Sequence, residues 1–208
     1  MNYLEALSRR YSVKKFNHEI IPQETLHNIL ESGKLSASSL GLQPYEILIV
    51  ESEEMKQKLI PAFYNPSQIS TCSHLIVIVS KKIVDDNYIN GYFRHISKVR
   101  ETPLEKLDLF KNSINQHINQ KTQDEIFSWA EKQSYIVLAN LMYAAAIENI
   151  DTCPMEGFRQ ELIEEILEIN TETEKVSVTL ALGYRSEEDH FQHMKKVRKP
   201  NEKLFKFI

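Results

Sequence analysis

The sequence predicts one α+β domain. Helical and strand patterns alternate without the regular βαβ rhythm of a doubly wound sheet. The 208 residues suit a single domain, and no internal repeat or linker divides them. Hydrophobic residues at 42% and charged residues at 26% supply an ordinary core and surface. In order, residues 1–9 read as a short helix with Leu4 and Leu7 on one face. Residues 22–33 form the next helix, with Pro22 just inside its start, Leu26, Ile29 and Leu30 at helical spacing, and Gly33 as the stop. A loop of small residues spans 35–44. The run YEILIV at 45–50 is a strand, followed by a helix over 53–62. The wholly apolar LIVIVS at 75–80 is a central strand. Residues 85–120 are polar and helical in pieces. A long helix covers 124–149; its second half, YIVLANLMYAAAI, is apolar nearly all round and packs on several sides. A short strand at 151–154, a helix at 158–169, a strand at 176–184 and a basic arm at 194–208 complete the domain.

Composition excludes several classes. The chain has only five glycines, Gly33, Gly41, Gly91, Gly157 and Gly183. No pair is close enough for a G-x-G-x-x-G fingerprint or a P-loop, so any phosphate must be held mainly by side chains. Cys72 and Cys153 cannot make a disulfide framework and fit a reducing, cytoplasmic setting. The start lacks the apolar stretch of a signal peptide, and no apolar run approaches a membrane span, so no membrane partner is expected.

The net charge of −4 hides an uneven distribution. Residues 9–15 carry Arg9, Arg10, Lys14 and Lys15 without an acid. Residues 194–208 carry six cations against Glu202. The two segments hold +9, leaving −13 for the rest. Two basic ends on an acidic body either converge on one anion or are solvated tails. The basic residues are not interleaved with aromatics and the body repels a nucleic-acid backbone, so no nucleic-acid partner is expected.

Arg10, Ser12 and Lys14 alternate. In an extended backbone they share one side, with Tyr11, Val13 and Lys15 on the other. A guanidinium, a hydroxyl and an ammonium on one strip suit a phosphate and a second polar acceptor; the same strip also fits a solvated strand. Five further segments accompany it in order. They are S-A-S-S-L-G-L-Q-P-Y at 36–45, Y-N-P-S-Q-I at 64–69, P-M-E-G-F at 154–158, L-G-Y-R at 182–185 and K-K-V-R-K-P at 195–200. Together with R-R-Y-S-V-K-K-F at 9–16, this series resembles the FMN-dependent nitroreductase family over nearly the whole chain.

The resemblance implies a three-layer fold with a mixed, mainly antiparallel sheet flanked by helices, in an intertwined homodimer with two FMN sites at the interface. Arg10 and Ser12 would hold the FMN phosphate and ribityl end, joined by Lys196 and Arg198. Lys14 would lie against the pyrimidine edge, where a cation stabilises the reduced anionic flavin. Asn65 and Gln68 would hydrogen-bond that edge, since an amide both donates and accepts. Ser38 and Ser39 would come from the partner subunit. Glu156 and Gly157 would offer backbone N–H groups, with Pro154 and Met155 against the ring face and Gly157 permitting close approach. NAD(P)H would be the co-substrate and a nitroaromatic, quinone or similar flat acceptor would follow it in a ping-pong exchange through flavin N5, with no protein acid or base. A non-catalytic flavin-binding or redox-sensing protein on the same scaffold is the alternative. The family's Pro-Ser-Ser and Gln-Pro-Trp appear here as Ala37-Ser38-Ser39 and Gln43-Pro44-Tyr45. Residues 85–120, which match no pattern, would shape substrate access.

The remaining candidates have plain readings. His190 and His193 have a metal-compatible spacing but no third ligand, so no metal is expected. Cys72 reads as a buried small hydrophobe. Cys153 lies beside the P-M-E-G-F run without an evident activating group. Trp129 and the aromatic face of the long helix read as core or dimer contact.

Overall fold

A computed structural model describes residues 2–208; Met1 of the first predicted helix lies outside the described residues. Helix α1 (Tyr3–Arg9) opens with a capping box: the Asn2 side chain accepts from the Glu5 N–H, and Glu5 reciprocates. Helix α2 spans Gln23–Lys34. Pro22 stands one place outside it as the cap, so Gln23 is the first helical residue. Strand β1 (Tyr45–Val50) precedes α3 (Glu53–Leu59), capped by Ser52 and continued by a 3-10 turn over Ile60–Ala62. The sequence reading missed α4 (Pro66–Thr71), a single short helix started by Asn65 and Pro66. Strand β2 is His74–Lys81.

The polar region is a helical hairpin, α5 (Asp86–Arg100) and α6 (Asp108–Asn119), joined through a left-handed Glu101 and a 3-10 turn. Its few apolar residues converge: Ile89, Phe93, Ile96, Ile114 and Ile118 form a core of their own with Leu42, Val84 and Trp129. Then come α7 (Gln123–Ile147), β3 (Asp151–Met155), α8 (Gln160–Ile166), β4 (Glu174–Gly183) and a last turn, α9 (Asn201–Leu204). The predicted helix over 158–169 is thus shorter at both ends: residues 156–159 are held as a turn beside Ala62 and Tyr64, and Glu168 takes a left-handed backbone after the last turn.

The sheet order is β1-β2-β4-β3, antiparallel at each pairing. One parallel bridge, Ser12 with Thr152, adds the N-terminal strip at the β3 edge. Alternation along β2 builds the layers. Leu75, Val77 and Val79 pack with Leu59, Ile69 and Ile163 beneath α3, α4 and α8. Ile76 and Ile78 face Ile29, Val137 and Leu141 of α2 and α7. Burying each such side chain contributes about 1.5–3 kcal/mol, and both faces of β2 collect it. The result is an α+β sandwich of three layers.

Helix α7 departs from its reading as buried on several sides. Val137, Leu141 and Ala145 are buried, but Tyr135, Ile136, Tyr143 and Ile147 are exposed, along with Tyr3, Leu4 and Leu7 of α1. No described helix is long and apolar enough to cross a membrane.

Candidate functional site

The strip after α1 is extended because its backbone pairs outward. Val13 N–H donates to Thr152 O at 3.1 Å, and Phe16 N–H donates to Thr71 Oγ1 at 2.9 Å. Val13 and Phe16 are buried, while Lys15 turns out to pair with Glu188. Arg10, Ser12 and Lys14 therefore share a side. Asp189 holds the far end of the strip, its Oδ2 accepting from Lys14 N–H at 2.7 Å and Lys15 N–H at 3.3 Å. Burial opposes ionisation of Asp189, but the backbone N–H groups of Lys14, Phe191 and Lys15 outweigh it and hold the carboxyl below its ordinary value.

The basic arm folds back onto this strip. Lys196 Nζ donates to Leu7 O at 2.5 Å and to Arg10 O. Arg10, Ser12, Lys14, Lys196 and Arg198 line one cavity of about 480 Å³. Its wall includes Arg185, whose guanidinium is paired with Asp151 and lies 4.7 Å over the Tyr11 ring. Arg10, Lys196 and Arg198 have no carboxylate partner among the described residues. Burial and then the Arg198 charge hold Arg10 below its ordinary value. Burial, Arg10 and Arg198 do the same to Lys196. Three cations facing one cavity repel one another until an anion enters.

Lys14 also lines a second cavity, of about 220 Å³, with Asn65, Gln68, Pro154, Met155, Glu156 and Gly157. Asn65 is there as the cap of α4, its Oδ1 accepting from Ser67 N–H at 3.3 Å. The Gly157 turn is tied to the same loop by Tyr64 N–H donating to Gly157 O at 3.0 Å. A Cβ on Gly157 would meet the Tyr64 ring at 3.3 Å. The Glu156 carboxylate accepts from Tyr135 OH at 2.5 Å, and burial, Glu156 and Glu131 push the Tyr135 hydroxyl up. The Gln68 amide is buried at 4% exposure, and its Oε1 has no partner among the described residues.

Eleven of the thirteen expected residues thus line two cavities that meet at Lys14. Ser38 and Ser39 line neither. Ser38 Oγ accepts from Gln43 N–H at 3.0 Å, and Ser39 N–H donates to Gln133 Oε1 at 2.8 Å. Tyr64 and the Asp189 anchor were not anticipated as parts of the site, and Cys153 was expected only beside it. Cys153 sits between Gln68 and Lys14, and burial, against the Lys14 charge, keeps its thiol above the ordinary value. Cys72 is buried, and its thiol is pushed up to about 12 by burial. His190 and His193 are exposed, and among the described residues no three His, Cys, Asp or Glu side chains converge for a metal.

Fold and cavities define a three-layer α+β protein in which a cavity lined by cations and a smaller cavity share Lys14. Residues 7–184 match the profile of the nitroreductase family. The chain belongs to that family. A Staphylococcus haemolyticus protein with the provisional name NAD(P)H nitroreductase is 38% identical over 215 residues, covering 99% of this chain and 96% of that one. A Bacillus subtilis protein, provisionally named NAD(P)H nitroreductase YfkO, is 34% identical over 197 residues and 88% of each chain. Among solved structures, a Staphylococcus epidermidis protein provisionally named an NAD(P)H:FMN oxidoreductase superposes with TM-score 0.87. It is 24% identical, covering 100% of this chain and 96% of that one. An Exiguobacterium sibiricum protein, provisionally named a nitroreductase and solved in complex with FMN, gives TM-score 0.87 at 23% identity, covering 100% and 98%. These two structures show the likeness of fold.

Proposed function

We propose that the chain is an FMN-dependent NAD(P)H oxidoreductase that reduces nitroaromatic, quinone or similar flat acceptors as a homodimer. The observation that carries this reading is the cluster Arg10, Lys196 and Arg198, which faces one cavity without a counterion and adjoins a cavity where Gln68 Oε1 lacks a donor. A phosphate-bearing ligand would supply the missing counter-charge, and a polar heterocycle would fit beside it against Lys14 and Asn65. Arg10, Ser12, Lys196 and Arg198 would hold the phosphate and sugar-alcohol end of FMN by charge-assisted bonds. Lys14 would favour negative charge on the adjoining ring edge, and Asn65 and Gln68 would bond that edge. Pro154, Met155, Glu156 and Gly157 would wall the ring. Bound there, FMN would supply hydride acceptance from NAD(P)H and hydride donation to the second substrate. Glu156 would act through its backbone, its carboxylate being engaged by Tyr135.

Ser38 and Ser39 would complete the site from a second copy, since within one chain they lie outside both cavities. The exposed apolar residues of α1 and α7 support such a pairing. The α5–α6 hairpin would shape acceptor access, because Tyr88 OH donates to Leu42 O and Gln43 O and so braces the Ser38–Ser39 loop. Two buried free cysteines suit a reducing cytoplasm.

The purified protein should be yellow, or take up added FMN, and should bleach when NADH or NADPH is added without oxygen. A protein that ignores FMN would sink this reading. A yellow protein that does not bleach would instead be a flavin-binding module without turnover.

A further inference from the structure

We propose that Tyr135 is a positioning residue of this site: its hydroxyl holds the Glu156 carboxylate aside, so that the smaller cavity keeps the unpaired charge of Lys14. The proposal rests on the flavin reading above and says how that cavity stays electropositive.

The residues lining this cavity of about 220 Å³ include one cation, Lys14, and one acid, Glu156. Opposite charges around so small a space attract one another. Yet the two do not pair. Lys14 Nζ meets the Cys153 sulfur at 3.9 Å and no carboxylate among the described residues. Glu156 Oε1 instead accepts from Tyr135 OH at 2.5 Å, a short bond to a charged acceptor. Burial first, then Glu156 and Glu131, push the Tyr135 hydroxyl up, so it stays protonated and donates.

Tyr135 reaches the turn from α7, whereas the backbone of the turn is fixed from the other side. Tyr64 N–H donates to Gly157 O at 3.0 Å, and Arg159 N–H donates to Ala62 O at 2.7 Å. The Arg159 guanidinium is itself taken up by Pro61 O. The segment 61–64 therefore sets where the turn lies, and Tyr135 sets where its negative charge lies. Removing the hydroxyl leaves the turn in place and frees the carboxylate, whose cation at this cavity is Lys14. A ring that gains electrons beside Lys14 then loses the counter-charge that favours it.

Tyr135→Phe removes the hydroxyl and keeps the ring. The dissociation constant for FMN, from fluorescence titration, should rise about two- to fivefold, the scale of a partly exposed ion pair. The midpoint potential of bound FMN should fall, because the reduced, anionic ring depends on the Lys14 charge more than the oxidised ring does. Both changes should vanish when Tyr135→Phe is made in a Glu156→Gln background, where there is no charge to release. Thermal melting and sedimentation check that each variant is folded and associated as wild type is. An unchanged potential in Tyr135→Phe would overturn the proposal. So would an equal fall in the Glu156→Gln background, which would leave Tyr135 a packing residue. Wild-type protein that binds no FMN would overturn the flavin reading itself, which is a distinct result.

Discussion

Arg10 shows how much a residue's meaning depends on its neighbours. In sequence it is one of four cations in seven residues; in the fold it meets Lys196 and Arg198 across one cavity. Charge-assisted bonds to a phosphate contribute roughly 1.5–3 kcal/mol each. Arg10→Ala and Arg198→Ala should each raise the dissociation constant for FMN by about 10- to 100-fold, measured by fluorescence titration. Unchanged affinity in both variants would remove the phosphate assignment. Thr71 illustrates the residue that sequence cannot flag. Its Oγ1 accepts from Phe16 N–H at 2.9 Å and its hydroxyl donates to Ser67 O at 2.6 Å, tying the N-terminal strip to α4. Thr71→Val keeps the shape but strands the Phe16 N–H, so urea unfolding should show a loss of about 1–3 kcal/mol.

Between elements, close approach decides more than propensity. Gly183 ends β4 where Phe16 crosses it, and a Cβ there would lie 2.8 Å from Phe16 Cδ1 and 3.2 Å from Ser73 N. Gly33, expected as the stop of α2, is instead a buried residue of its last turn, packed against α7 where a Cβ would lie 2.8 Å from Leu141 Cδ2. The Leu141 tip can rotate away, whereas the Ser73 backbone cannot. Gly183→Ala should therefore lower the melting temperature more than Gly33→Ala, with overpacking costs of about 1–3 kcal/mol and less, respectively. The strands over 45–50 and 75–80 were legible because β-branched and leucine residues run uninterrupted there. Helix α4 was not, since its six residues show no full amphipathic period; only Asn65-Pro66 signalled a start. The hairpin over 85–120 was read as helical in pieces, but its private core was hidden among polar residues.

For the molecule as a whole, a buried imidazole links stability to pH. His74 is 2% exposed at the start of the central strand, with Nδ1 2.8 Å from Ser73 Oγ, Nε2 3.8 Å from Glu51 and Lys56 nearby. Burial, with Lys56 adding to it and Glu51 opposing, holds His74 below its ordinary value. The unfolded chain then binds the proton more readily than the folded one. The contribution is complete above the ordinary imidazole range near about pH 6.5 and is lost as pH falls through the lowered folded value. Urea midpoints should rise between pH 5 and 7 in wild type, and rise less in His74→Asn. Equal slopes would show that other groups carry the dependence.

The sequence by itself determined the class of fold, the order of its strands and of all its longer helices, and eleven of the residues that line the two cavities. Those follow from local pattern: apolar runs, caps, and short motifs whose residue types carry their own chemistry. Only the tertiary structure decided which groups meet. The convergence of residues 9–15 with the arm at 194–208 is a long-range event, made by Asp189 anchoring the strip and Lys196 reaching Leu7 and Arg10. The exclusion of Ser38 and Ser39 from the cavities of their own chain is another, as is the placing of Cys153 between Gln68 and Lys14. No periodicity encodes such meetings, because they depend on how the β3–β4 edge and α4 pack over the first strip. A glycine-poor chain can still cradle a phosphate, because packing brings together cations that lie more than 180 residues apart.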